Sequence, residues 1–81
     1  MIMGNKLVLI EWLDSHYVAG WHTDGPAEEP TICRSVGWLI YDGDKVKTIA
    51  SHITDEALPQ RCGEMTIPTA AIVSMKTLRL R

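Results

Sequence analysis

The chain has few of the residues that mark several classes of protein. It contains no phenylalanine and only two cysteines, Cys33 and Cys62, among 81 residues. Two cysteines are too few for a disulfide framework, and in a cytosolic chain they are expected to be buried or half-buried thiols. Apolar runs such as residues 7–10 are far shorter than the roughly 20 residues that cross a bilayer. The sequence therefore predicts no membrane span.

Positive charge is also scarce. Eight Lys and Arg residues stand against ten Asp and Glu, for a formal net charge of −2. Proteins that hold nucleic-acid backbones over a broad surface usually carry a basic excess. The first residues show neither the charged start nor the cleavage site of a signal peptide. We therefore expect an unprocessed cytoplasmic protein without a broad basic surface.

The composition is that of a folded protein, with 46% apolar residues and a mean hydropathy near zero. A chain of this length forms one domain, so we expect a single domain over residues 1–81. So small a domain has a marginal core, and association with further copies of itself is one way to bury more surface.

Short alternating apolar segments predict strands. Five segments fit this pattern: residues 6–13, 33–41, 45–53, 64–67 and 72–80. Residues 18–22 allow a further short strand, with Gly20 at a bend. Asp42 and Gly43 predict a tight hairpin turn, since both tolerate positive φ. The first segment is apolar on both faces, which is typical of a small barrel or a subunit interface.

Between the last two strands, residues 69–71 predict a single 3-10 turn, and a helix over residues 69–80 is the main alternative. Residues 23–30 form a loop with three acids and two prolines. A second loop covers residues 54–63, in which a single helical turn would be stopped by Pro59. The predicted fold is all-β: a small five-stranded barrel with one 3-10 turn before the last strand.

Four sequence elements occur in a familiar order: Trp12-Leu13-Asp14-Ser15, Gly20-Trp21, Ser35-Val36-Gly37-Trp38-Leu39-Ile40 and Ile67-Pro68-Thr69-Ala70-Ala71-Ile72. In this order the chain resembles small uncharacterised proteins of bacteriophage and prophage type. The strand plan is also similar to SH3-like barrels, including the Sm-like proteins that form rings around RNA. That likeness implies a ring-forming or RNA-binding barrel, although the initial helix and the RNA-binding loops of Sm-like proteins have no counterpart here.

No motif predicts catalysis or metal binding. Asp14, Ser15 and His16 have the residue types of a hydrolase triad, but neighbours on an extended strand point to opposite faces. The possible metal ligands, His16, His22, His52, Cys33 and Cys62, lack the spacing of a local site. A Cys62 nucleophile with His52 would need a contact made only by the fold. We therefore expect no enzyme activity, cofactor or metal.

The remaining candidates form an interaction surface of aromatic and basic residues: Trp21, Tyr17, Tyr41, Lys45, Lys47, Lys76 and Arg79. Trp12 and Trp38 lie in apolar alternation and are expected in the core, whereas Trp21 follows Gly20 beside a polar loop. The leading expectation is a non-enzymatic, phage-derived barrel that associates with itself, or with another phage or host protein. The alternative is an RNA- or single-stranded-DNA-binding barrel, with the lysines and Arg79 on phosphates and Trp21 or Tyr41 on bases.

Overall fold

A computed structural model of the protein describes residues 5–79, and five strands within this range form one antiparallel sheet. The strands are β1 (Leu7–Asp14), β2 (Thr31–Asp42), β3 (Val46–Ile53), β4 (Arg61–Pro68) and β5 (Ile72–Thr77). They lie in the order β4-β3-β2-β1-β5, so β4 and β5 are the two edges and the sheet is not closed. The all-β prediction is confirmed. None of the described residues forms a helix long and apolar enough to cross a membrane.

The predicted 3-10 turn is confirmed at Thr69–Ala71, directly before β5. The alternative helix is wrong because residues 72–77 pair with β1 as a strand. The strand ends at Thr77, so its predicted extension over residues 78 and 79 is wrong, and residue 80 lies outside the described residues. Residues 54–58 form a loop with bends, as expected, and no helical turn.

The core lies on one face of the sheet. Val8 and Ile10 alternate along β1 and pack with Ile49 of β3 and Ile67 of β4. Four half-buried side chains surround this cluster: Trp12, Leu39, Ile72 and Met75. The expected core position of Trp12 is confirmed. Trp38 pairs with Leu7 on the opposite face of the sheet, so its expected place in the core is wrong.

The sheet curls over this core. The Ser35 hydroxyl on β2 lies 3.8 Å from the sulfur of Met65 on β4, although β3 separates these strands in the sheet. The Thr69 hydroxyl likewise donates to the Gly43 carbonyl across 26 positions of sequence. Curvature therefore covers the core without any pairing between β4 and β5.

An irregularity in β5 changes which residues face the core. The alternation in the sequence places Ile72 on one face of β5 and Met75 on the other. In the structure both pack against the core, because Glu11 pairs with Ser74 while the next residue, Trp12, pairs with Ile72. Val73 is therefore an extra, exposed residue, as in a β-bulge.

The predicted hairpin between β2 and β3 is confirmed, but its turn is longer than a two-residue turn. Residues 43–45 connect the strands, and the Gly43 amide donates to the Val46 carbonyl at 3.0 Å. Neither Asp42 nor Gly43 has a positive φ, so the expectation that positive φ values at these residues form the turn is wrong. A Cβ at Gly43 would meet the ring of Tyr41, which is 57% exposed and can move aside.

The described chain is more extended than a compact domain. Its radius of gyration is 16.1 Å, whereas about 12 Å is typical of a compact domain of this length. Residues 15–30 are all exposed and contain no strand, so the prediction of a strand at residues 18–22 is wrong. In β4, only Ile67 is buried. Much of this molecule therefore lies outside the core.

Candidate interaction surface

The face of β1 and β2 opposite the core is also apolar. Because cross-strand partners share a face, the pairs Leu7 with Trp38, Leu9 with Val36 and Leu13 with Ile32 lie along one face of the sheet. We call these six residues the outer strip. Ile32 and Val36 are 57% and 55% exposed and Leu13 is 39% exposed, whereas Leu7, Leu9 and Trp38 are half-buried.

A charged cluster interrupts the outer strip at its middle. Glu11 pairs with Arg34 across the strands, and the Arg34 Nε donates to one carboxylate oxygen at 2.7 Å. The Ser74 hydroxyl of β5 donates to the other oxygen at 2.9 Å. The hydrogen bond from Ser74, followed by that from Arg34, lowers the pKa of Glu11 below its ordinary value of 4.5. This cluster joins β2, β1 and β5 on the outer face.

One end of the outer strip opens into a groove. Leu7, Trp38 and Leu78 supply its apolar lining, and Lys6 and Arg79 stand at its rim. The Leu78 amide donates to the Leu7 carbonyl at 2.8 Å, and this hydrogen bond places Lys6 and Arg79 on neighbouring segments of the chain. The groove holds about 470 Å³, within the size range of small binding sites. We call it the basic groove.

The opposite end of the strip carries the long connection between β1 and β2. We call residues 15–30 the arm. Trp21 is fully exposed and Tyr17 is 89% exposed, so the arm presents aromatic side chains to solvent. Gly20 has a φ of +89°, a conformation that favours glycine, directly before Trp21. The arm also contains Asp24, Glu28 and Glu29, and none of them forms an ion pair within residues 5–79.

The predicted interaction residues lie on three separate elements. Tyr17 and Trp21 share the arm, while Tyr41, Lys45 and Lys47 lie on the hairpin between β2 and β3. Lys76 lies opposite Leu9 on the outer face, and Arg79 lies at the basic groove. Lys47 contacts the Asp42 carboxylate and its side chain is only 17% exposed. The structure therefore brings some of these residues together, but not all of them on one surface.

Asp14, Ser15 and His16 have structural contacts at the end of β1, and His52 pairs with Cys62 between β3 and β4. The Ser15 amide donates to Asp14 Oδ1 at 2.9 Å, which is the strand-end turn expected from the sequence. His16 Nδ1 lies 3.0 Å from the Thr31 hydroxyl, not from Ser15. Cys33 and Cys62 are free thiols; Cys33 is half-buried as expected, whereas Cys62 is exposed, so its expected burial is wrong. Among the described residues, no three His, Cys, Asp or Glu side chains are grouped as metal ligands.

The sequence did not predict most residues of the outer strip and the basic groove. Residues of the outer strip and of the basic groove, such as Ile32, Val36 and Lys6, were not among its candidates. The apolar residues on both faces of β1 were the available signal. Only the register between β1 and β2 shows which side chains combine with them into one strip.

Neither a protein-family model, nor a curated protein, nor a solved structure matches this chain.

Proposed function

We propose that the protein is a non-enzymatic assembly module that associates with copies of itself through the outer strip. The observation that carries this proposal is the exposed apolar row on β1 and β2, which includes Ile32 and Val36. Exposed apolar patches on a protein surface mark interaction sites. The extended shape of the described chain supports the same proposal.

The proposal includes the architecture and setting implied by the resemblance. The curled sheet is an open form of a small SH3-like or Sm-like barrel, and it acts in the cytoplasm of a cell that carries a phage or prophage. The long hairpin of β2 and β3 and the 3-10 turn before β5 support this plan. The contact between Ser35 and Met65 supports it further, because it gives the sheet barrel-like curvature.

The test measures solution mass by light scattering over a wide range of protein concentration. The unsubstituted chain is expected to exceed its monomer mass of 9.1 kDa as concentration rises. Val36→Lys puts a charge into the outer strip and is expected to weaken association at least about tenfold, since desolvating an unpaired charge is costly. Leu58→Lys is the matched control, because Leu58 is 86% exposed in the loop between β3 and β4.

Two results would contradict the proposal. One is a chain that stays monomeric at every concentration. The other is an oligomer whose mass responds equally to Val36→Lys and Leu58→Lys, because the strip would then have no special role. Circular dichroism of each variant establishes that it is folded before its mass is interpreted.

A nucleic-acid-binding barrel is the second candidate. Tyr41 and Lys45 are both exposed on the hairpin of β2 and β3, where a base and a phosphate would be within reach of the same segment. The contact of Lys47 with Asp42 and the net charge of −2 weigh against it. A gel shift with RNA or single-stranded DNA that is lost on Lys45→Glu supports this candidate. Absence of binding at low salt rejects it.

A further inference from the structure

The arm and the basic groove have complementary chemistry. The arm presents Trp21 as an exposed aromatic side chain and carries carboxylates at Asp24, Glu28 and Glu29. The basic groove presents an apolar lining beside two neighbouring cations. An aromatic anchor with flanking acids fits an apolar groove with a basic rim.

The two features lie at opposite ends of β1. The arm begins after Asp14, whereas the basic groove includes Leu7 at the other end of the strand. Seven residue steps of extended strand separate these ends by about 24 Å. Trp21 makes no contact that covers it within the described chain, so the arm does not occupy the groove of its own molecule.

We infer that the arm of one copy docks in the basic groove of a second copy, with Trp21 in the apolar lining and the arm carboxylates facing Lys6 and Arg79. This inference rests on the proposed self-association and specifies which surfaces of two copies meet. Because the arm and the groove are different surfaces, the contact is heterologous. Such contacts repeat from copy to copy. They give a ring if the rotation that relates neighbouring copies closes, and a filament if it does not.

The first experiment removes the anchor from the full chain. Trp21→Ala is expected to weaken the concentration-dependent mass increase at least about tenfold, as buried tryptophans commonly dominate interfaces. Leu58→Ala is the control, since it truncates another highly exposed side chain outside both surfaces. Trp21 is outside the core, so its removal is expected to leave the unfolding midpoint of the monomer unchanged.

The second experiment exchanges the charges. One variant carries Lys6→Glu with Arg79→Glu, and the other carries Glu28→Lys with Glu29→Lys. Each variant alone is expected to associate poorly, because its arm and its groove then have charge of the same sign. An equal mixture is expected to recover association, since the arm of each variant is complementary to the groove of the other.

The outcomes separate this inference from the proposed function. If Trp21→Ala and the charge variants associate like the unsubstituted chain while Val36→Lys does not, arm docking is wrong and the outer strip remains the interface. Failure of the mixture to recover association also overturns arm docking. A monomer at every concentration overturns both.

Discussion

The indole Nε1 of Trp12 donates a hydrogen bond of 3.0 Å to the Ser35 hydroxyl, and this bond links β1 to β2 on the core face. The same hydroxyl contacts the Met65 sulfur of β4 at 3.8 Å. One serine therefore joins three strands of a sheet whose edges do not meet. The contact with Met65 brings β2 and β4 together across β3.

Replacing this serine tests its contribution. Ser35→Ala leaves the partly buried indole N–H of Trp12 without its acceptor and is expected to lower the free energy of unfolding by about 0.5–1.5 kcal/mol. Urea unfolding measures the change. Ser15→Ala is the control because Ser15 is exposed at the end of β1. Equal stability of the two variants would mean that the Ser35 contacts do not stabilise the fold.

The Glu11 cluster predicts a pH dependence of stability. The pKa of Glu11 is lowered in the folded state by the Ser74 and Arg34 hydrogen bonds, so its charged form stabilises the fold. This contribution is present above the ordinary pKa of 4.5 and is lost as the pH falls through the lowered folded value. Glu11→Gln is therefore expected to unfold at lower urea than the unsubstituted chain at pH 7. The difference is expected to shrink as the pH falls below about 4.5.

Glu28→Gln provides the control at pH 7. It removes the same charge from the exposed arm, where no ion pair is lost within the described residues. Its stability at pH 7 is expected to match that of the unsubstituted chain. A Glu11→Gln deficit that stays constant from pH 7 to pH 3 would show that the carboxylate charge is not its source.

Gly37 marks a close approach between β2 and β3. A Cβ at this position would lie 2.9 Å from the backbone oxygen of Ala50 and 3.0 Å from the Cβ of Ile49. Backbone atoms cannot rotate away, so Gly37→Ala is expected to lower the free energy of unfolding by about 1–3 kcal/mol. Gly25→Ala is the matched control, since nothing lies within 4 Å of its Cβ. A thermal melt in which both variants behave alike would contradict this packing.

Two isoleucines on opposite faces of the sheet separate the effect of core burial on stability from the effect of the outer strip on self-association. Ile10 is fully buried on β1, whereas Ile32 on β2 is 57% exposed. Ile10→Ala is expected to lower the free energy of unfolding by about 2–5 kcal/mol through the cavity it leaves. Ile32→Ala is expected to leave the monomer almost as stable and to weaken self-association. Urea unfolding at low concentration measures the first effect, and light scattering measures the second.

Local sequence patterns predicted the strands because alternation and turn residues act over a few positions. The alternation of Val8 and Ile10 placed β1 correctly, and Pro68 before residues 69–71 indicated the 3-10 turn. The prediction of β4 began three residues late, at residue 64 instead of Arg61. The first part of β4 is polar and contains Gly63 at a positive φ, and it forms a strand through its pairing with β3.

The candidate site was harder to predict because it depends on register. Trp21 was predicted as an exposed contact residue from its neighbours alone, and the structure leaves it fully exposed. Trp38 was expected in the core because it alternates with apolar residues. The pairing of Trp38 with Leu7 determines the face of the sheet on which Trp38 lies. No pattern within β2 distinguishes the two faces of that strand.

The amino-acid sequence by itself determined the β class, the number of strands, the hairpin and the 3-10 turn, since these follow from local propensity and periodicity. Only the tertiary structure decided which apolar face became the core and which remained open. The bulge at Val73, the close approach at Gly37 and the end-to-end separation of the arm and the basic groove also depend on it. These features arise from pairing between residues far apart in the chain, and a one-residue change of register would reverse the faces.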